Sequence, residues 1–153
     1  IIDGKVKPEQ LRLLLDTEIE QLEIESTAPI NVLAKTADSM PGFGIVAAVL
    51  GIIITMASIA GPVEEIGVEV AAALVGTFLG ILLAYGFLNP LATNLEFITA
   101  AELEYVRCIA SCVLGYAGGM APITAVELGR RRLSSDMRPS AEEMEEMFKS
   151  IKP

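Results

Sequence analysis

Five polar side chains lie well inside two long apolar stretches, and they are the groups of this sequence best placed to contact an ion or a water molecule there. Thr55 and Ser58 lie in the first stretch, and Thr77, Tyr85 and Asn89 lie in the second. A hydroxyl such as that of Thr77 can contact a passing ion or water, or it can hydrogen-bond to a carbonyl of its own helix. The sequence leaves both uses open.

Neither apolar stretch contains Asp, Glu, Lys, Arg or His. A proton relay inside a membrane normally requires a titratable side chain. We therefore expect any proton path along these stretches to take its acid from another helix or subunit.

The cysteines offer little chemistry of their own. Cys108 and Cys112 are four residues apart, and the sequence has no histidine. Two thiols do not complete a zinc site, and a reducing cytosol disfavours a disulfide. The sequence also lacks a nucleophile paired with a base and a phosphate-binding glycine loop. We predict packing cysteines and a protein that is not an enzyme, with no cofactor and no bound metal.

The composition favours a membrane protein. Hydrophobic residues make up 52% of the chain, and the mean hydropathy is +0.54. The net charge of −9 argues against nucleic acid or anionic lipid as the main partner.

Two stretches are long enough to cross a bilayer. Residues 39–63 and 70–95 carry no charge, and as helices each would span about 37–39 Å, more than a hydrocarbon core of about 30 Å. The short connection between them makes them antiparallel neighbours. We predict an all-α polytopic membrane protein, the alternative being a core hairpin of a large soluble protein. Its predicted parts are a cytoplasmic helical segment (1–37), a transmembrane helix (38–62), a periplasmic turn (63–68), a second transmembrane helix (69–94) and a cytoplasmic helical tail (95–153).

Basic residues predict the orientation of this hairpin, because cytoplasmic segments carry the excess of Lys and Arg. All of them lie outside it: Lys5, Lys7, Arg12, Lys35, Arg107, Arg130, Arg131, Arg132, Arg138, Lys149 and Lys152. We expect both ends of the segment in the cytoplasm of a bacterial inner membrane.

The flanking segments show helical spacing. An amphipathic helix starts at Pro8 and is broken or kinked by residues 26–29. Further helices are predicted over about 91–113, 123–133 and 141–151. Ser140 and Glu143 have the spacing of a capping box at the start of the last helix.

Small residues form one face of each span, which in lipid indicates close helix packing in a bundle or oligomer. They are Gly44, Ala47, Ala48 and Gly51 in the first span, and Ala72, Gly76, Gly80 and Ala84 in the second.

Several motifs resemble one family of membrane proteins. Residues 38–51 and 75–92 are similar to the MotA family of flagellar stator subunits, within the MotA/TolQ/ExbB superfamily. So are the shorter motifs at 115–116, 121–123, 126–130 and 138–140. The resemblance covers nearly the whole chain and implies its C-terminal half, with the third and fourth membrane helices of the family.

This resemblance implies an ion-driven motor subunit. Family members form a pentamer around two MotB-type subunits, which supply the conducting carboxylate, and they drive a rotor switch protein. Pro41 and Pro90 match prolines thought to couple conduction to conformational change, and Thr77 matches a threonine that faces the ion path. Sodium-driven relatives look similar in carrying a threonine at the position that matches Ala48. The alanine in this sequence therefore resembles proton-driven members, which favours protons over sodium as the transported ion. Alternatives are a TolQ/ExbB-type energiser of outer-membrane processes and a purely structural membrane scaffold.

Overall fold

The chain is helical throughout the part that the structure describes. The computed structural model describes residues 6–57 and 59–151, so Lys5, Ser58 and Lys152 lie outside the described residues. Within these ranges there are α-helices, one π-helical segment and no strand, which confirms the all-α prediction. The elements are α1 (Pro8–Ala57), α2 (Val63–Ile81), a π-helix (Leu82–Leu88), α3 (Asn89–Ala117), α4 (Pro122–Arg130) and α5 (Ala141–Ile151).

Two helical stretches, Pro8–Ala57 and Val63–Ala117, each contain a segment long and apolar enough to cross a membrane. The chain divides into two compact units. The hairpin unit comprises residues 26–98. The second unit, here called the tail unit, comprises residues 1–25 and 99–153.

The connection between the two helices of the hairpin ends earlier in the chain than the sequence predicted. The predicted turn at 63–68 is wrong, because α2 already begins at Val63 and places Glu64 and Glu65 in its first turn. Acidic side chains stabilise the positive N-terminal end of a helix, so this run of acids marks a helix start. Pro62 has extended backbone angles (φ −62°, ψ 139°) and occupies the position before the helix.

Helix α1 includes Pro29, where the sequence predicted a break or kink; the break does not form. An interior proline costs about 3 kcal/mol because it removes a hydrogen bond and crowds the preceding turn. The next residue, Ile30, is buried. Full burial of such a side chain contributes roughly 1.5–3 kcal/mol, which offsets much of the cost.

Glycines allow the two helices of the hairpin to touch along their backbones. A Cβ atom added to Gly80 would lie 2.6 Å from the carbonyl oxygen of Met40, and one added to Gly51 would collide with Ala73. The buried alanines Ala48, Ala73 and Ala84 continue this contact face.

Ala72 departs from the predicted packing stripe, because it is exposed whereas Ala73 is buried. A step of four residues rotates about 40° beyond a full turn of a helix with 3.6 residues per turn. The strict four-residue stripe from Ala84 back to Ala72 therefore drifts off the contact, and the face passes through Ala73.

Close packing also organises the tail unit. A Cβ atom on Gly129 of α4 would collide with the sulfur of Cys112 and lie 2.9 Å from the carbonyl oxygen of Cys108. Both cysteines are free and half-buried. Burial is the larger cause that raises the pKa of the Cys108 thiol, and the neighbouring Cys112 is the smaller one. The thiols therefore serve as packing groups around this glycine.

The helix ends in the tail unit are capped. Gly119, with φ +89°, ends α3, while the N–H of Met120 donates to Gly115 O at 3.1 Å. At the start of α5 the predicted capping box is confirmed. The Ser140 N–H donates to the Glu143 carboxylate at 2.7 Å, and the Glu143 N–H donates to the Ser140 hydroxyl at 3.2 Å.

An arginine–glutamate cluster lies at the C-terminal end of α4. Arg130 donates to both carboxylate oxygens of Glu127, at 2.6 and 2.8 Å, and to the carbonyl oxygen of Pro139 at 2.7 Å. Hydrogen bonds from Arg130 and then Arg131 lower the pKa of Glu127 to about 2. The cluster therefore ties α4 to the segment that precedes α5.

Replacing Gly80 with alanine should destabilise the hairpin by about 1–3 kcal/mol, the usual cost of inserting a methyl group into a closed contact. The measurement is denaturant unfolding of the detergent-solubilised protein. Gly67→Ala is the matched control, because a Cβ there meets nothing within 4 Å, and it should be neutral or stabilising by up to about 1 kcal/mol. Equal effects of the two substitutions would contradict the backbone contact.

The Glu127 cluster should make stability depend on acid. A carboxyl group whose folded pKa is lowered stabilises the fold above its unfolded pKa near 4.5, and this contribution disappears as the pH falls toward 2. Glu127→Gln should therefore lower the unfolding midpoint at pH 7, and the difference from the unsubstituted protein should shrink between pH 4.5 and 2. A difference that stays constant with pH would refute the charge-based contribution.

Candidate functional site

The candidate site lies where the helices of the hairpin approach most closely. A Cβ atom on Gly44 would be 2.7 Å from the carbonyl oxygen of Gly76 and 3.0 Å from the Cα of Thr77. A Cβ atom on Gly76 would be 2.8 Å from the Cβ of Ala47. These glycines bring the backbone of α1 directly against the turn of α2 that carries Thr77.

Thr77 makes a hydrogen bond that the sequence did not predict. Its hydroxyl donates to the carbonyl oxygen of Gly44 on the facing helix at 3.3 Å, in a half-buried setting. Neither a free hydroxyl nor a bond to its own helix describes this arrangement. The oxygen of Thr77 keeps its lone pairs, so it can still accept a hydrogen bond from water or contact a cation.

Thr55 makes a hydrogen bond to a carbonyl of its own helix, which is the arrangement considered for Thr77 from the sequence. Its hydroxyl donates to Gly51 O of its own helix at 3.0 Å, and its side chain is completely buried. The two threonines therefore have different roles. Thr77 links the two helices, whereas Thr55 satisfies its hydroxyl proton locally.

The two alanines of the first span separate onto different surfaces. Ala48 is buried, and its backbone nitrogen would lie 3.7 Å from a Cβ on Gly76, so it belongs to the contact that also holds Thr77. Ala47 is largely exposed although its methyl group borders Gly76. The structure thus brings Ala48, Gly44 and Thr77 together in one region of the hairpin.

The two prolines lie in different helical settings. Pro41 is half-buried within the α-helical α1. Pro90 is exposed and follows the π-helix Leu82–Leu88, in which the Asn89 N–H bonds to Ala84 O, five residues earlier. A proline ring clashes with the carbonyl four residues before it, and a π-helical turn relieves this clash by widening the helix.

The sequence analysis did not predict the π-helix. Asn89–Pro90 inside an apolar helical pattern is the available signal, since proline removes one backbone donor. Whether the chain responds with a kink, a break or a wider turn depends on packing. Here Ala84 is fully buried.

Ionisable groups are sparse around this contact. Among residues 6–57 and 59–151, no cluster of three or more His, Cys, Asp or Glu side chains could hold a metal ion. In the hairpin unit, Glu69 of α2 lines a groove. The arrangement offers hydroxyl and carbonyl oxygens at the helix contact.

Removing the Thr77 hydroxyl should weaken the hairpin modestly. Thr77→Val keeps the shape but loses the donor to Gly44, and the expected loss is about 0.5–1 kcal/mol because the bond is long. Thr77→Ser keeps the hydroxyl and is the control. Denaturant unfolding of the solubilised protein measures both variants. If serine costs as much as valine, the inter-helix bond does not stabilise the hairpin.

Comparisons with known proteins agree with this helical architecture. Residues 2–107 match the MotA/TolQ/ExbB proton channel family. The chain is 45% identical over 152 residues to Motility protein A of Salmonella typhimurium, covering 99% of this chain and 52% of that protein. Motility protein A of Escherichia coli gives the same identity and coverage.

A solved structure of MotAB from C. jejuni has the same fold. It superposes with a TM-score of 0.78 at 23% identity, over 89% of this chain and 53% of that one. The chain spans about half the length of the curated relatives it matches. Because the family match extends over more than half of the sequence and the helices agree with it, the chain belongs to the MotA/TolQ/ExbB proton channel family.

Proposed function

We propose that this chain is part of an ion-conducting stator subunit of the bacterial flagellar motor, which converts ion-motive force into torque on a rotor. The observation that carries the proposal is the 45% identity to Motility protein A over 99% of the chain. Family membership supports ion conduction, and the apolar helical hairpin supports a place in the membrane.

The conducting carboxylate is proposed to come from a MotB-type partner. Residues 39–57 and 70–95 contain no titratable acid, and a membrane proton path normally requires one. The solved structures with this fold are of MotAB, which supports a two-component assembly. Large apolar side chains on the outer faces of the hairpin, including Phe43, Ile53 and Phe78, are exposed in the single chain. They would meet lipid and neighbouring copies in a pentamer.

The orientation follows from charge. The excess of basic residues lies in the segments outside the hairpin, so we place both ends of this segment on the cytoplasmic side of the inner membrane. The rotor switch protein is the proposed cytoplasmic partner.

Thr77 and Ala48 would border the ion path, with protons as the transported ion. A sodium site requires several oxygen ligands at fixed distances, and Ala48 contributes none at this contact. Protons can instead pass through hydrogen-bonded waters that contact the oxygen of Thr77. The substrate is thus a proton rather than sodium.

Pro41 and Pro90 would couple ion passage to movement of the helices. The π-helix before Pro90 is the feature that supports this role, since π-turns often occur at functional sites and mark places where helix geometry is altered. Gly44, Ala47, Gly51, Gly76, Gly80 and Ala84 would hold the helices together while this turn changes, and Ala72 would face a neighbour or lipid.

The test is complementation with the full-length protein and its partner in cells that lack their own stators. A proton-driven stator should restore swimming without sodium, and an uncoupler should abolish it. Swimming speed that depends on sodium would support the stator function but refute the proton as the transported ion. Failure to restore swimming would favour a TolQ/ExbB-type energiser or a scaffold.

Pro90→Ala separates a motor from a scaffold in the same cells. A motor should still assemble but lose most of its rotation, because the substitution would remove the proline that favours the π-helical turn before it. Pro29→Ala is the matched control, since Pro29 is also inside a helix but lies within the α-helical α1. Normal swimming with Pro90→Ala would contradict the coupling role.

A further inference from the structure

A groove on the surface of the hairpin unit contains a carboxylate that the proposed mechanism does not use. Glu69 of α2 lines a cavity of about 440 Å³ together with Thr55, Leu50, Ile54, Ala72 and Ala73. Apart from Glu69 and Thr55, these side chains are hydrocarbon. The groove lies near the end of the hairpin where α1 and α2 are connected.

One oxygen of Glu69 has no partner. Its Oε2 atom is buried, and no donor in residues 6–57 or 59–151 reaches it. A carboxylate oxygen in apolar surroundings needs a hydrogen-bond donor or a positive charge to offset its desolvation. The groove therefore requires a ligand that supplies one.

Thr55 cannot supply that donor. Its hydroxyl proton already goes to Gly51 O at 3.0 Å, and the side chain is fully buried. Thr55 therefore has no free proton to give to Glu69. The polar side chains that line the groove offer no free donor, which suits a cationic or proton-donating ligand and opposes an anion.

Basic side chains are remote from this groove along the chain. No Lys, Arg or His occurs between Lys35 and Arg107. The other acids of this part of α2, Glu64 and Glu65, are exposed and add negative potential. The hairpin itself therefore offers no ion-pair partner for Glu69, and its field attracts small cations.

We propose that Glu69 forms a capture site for a hydrated monovalent cation, hydronium first, at the loop end of the hairpin. The site rests on the proposed stator function and supplies the path that passes Thr77, about 12 Å further along the same helix at 1.5 Å per residue. The carboxylate holds the hydronium by accepting a hydrogen bond and releases it toward this path, with no covalent bond made or broken.

The test uses the full-length protein with its partner, in cells without other stators, and records the rotation of beads on single motors. Ion capture limits speed at low load and low ion supply, so Glu69→Gln should reduce low-load speed by about tenfold, the lower range of electrostatic effects on association rates. Stall torque and the number of incorporated stators, counted with a fluorescent tag, should stay near the unsubstituted values. Glu69→Asp should retain part of the speed, because it keeps the charge.

Two further arms identify the ligand. Lower external pH should restore the speed of Glu69→Gln, because it raises the supply of hydronium. Restoration by added sodium instead would overturn hydronium as the captured cation. Glu64→Gln is the comparison variant, since this acid lies five residues earlier on α2 and is exposed, and it should lose far less low-load speed than Glu69→Gln.

Three outcomes would overturn the inference. Unchanged low-load speed in Glu69→Gln would show that the carboxylate captures no ion. An equal loss with Glu64→Gln would indicate a general surface-charge effect. Fewer incorporated stators with normal speed per stator would mean that a side chain of a neighbouring chain occupies the groove. If the unsubstituted protein fails to rotate motors, the proposed function fails instead, which keeps the two results distinguishable.

Discussion

The close backbone contact between the two hairpin helices is the constraint on which the rest of the hairpin depends. Gly44, Gly76 and Gly80 lie where an added Cβ would meet the facing helix within 3 Å. Membrane lipids do not drive helices together as water does, so association relies on close van der Waals contact and hydrogen bonds between helices. The same contact fixes the position of Thr77, whose hydroxyl reaches Gly44 O because the helices are so near.

The hairpin combines this tight contact with a helix of altered geometry beyond it. The π-helix from Leu82 to Leu88 follows the glycine contact and precedes Pro90. Proline can neither donate its backbone bond nor tolerate the ordinary position of the carbonyl four residues before it, so the wider turn is a local solution to both. A stiff contact next to a turn of different geometry suits a device in which helices move without separating.

The two membrane stretches of the hairpin, residues 39–57 and 70–95, carry no charged side chain. The membrane stretches hold hydroxyls, carbonyls and hydrocarbon, while the acids Glu64, Glu65 and Glu69 occur after the connection. Helix-end electrostatics accounts for the first two of these acids. The buried oxygen of Glu69 is not explained in that way, since it lies beyond the first turn and faces an apolar groove.

Features that depend on neighbouring residues and periodicity were predictable from the order of the residues. These are the all-α class, the two apolar spans and the capping box of Ser140 and Glu143, because helical spacing and caps are encoded within a few residues. The partner of Thr77, 33 residues away, and the burial of Ala73 in place of Ala72 became visible only in the folded chain. The same is true of the π-turn before Pro90 and of the unpaired oxygen of Glu69. Each of these depends on how two helices are rotated and spaced against one another, which a pattern along one chain does not specify.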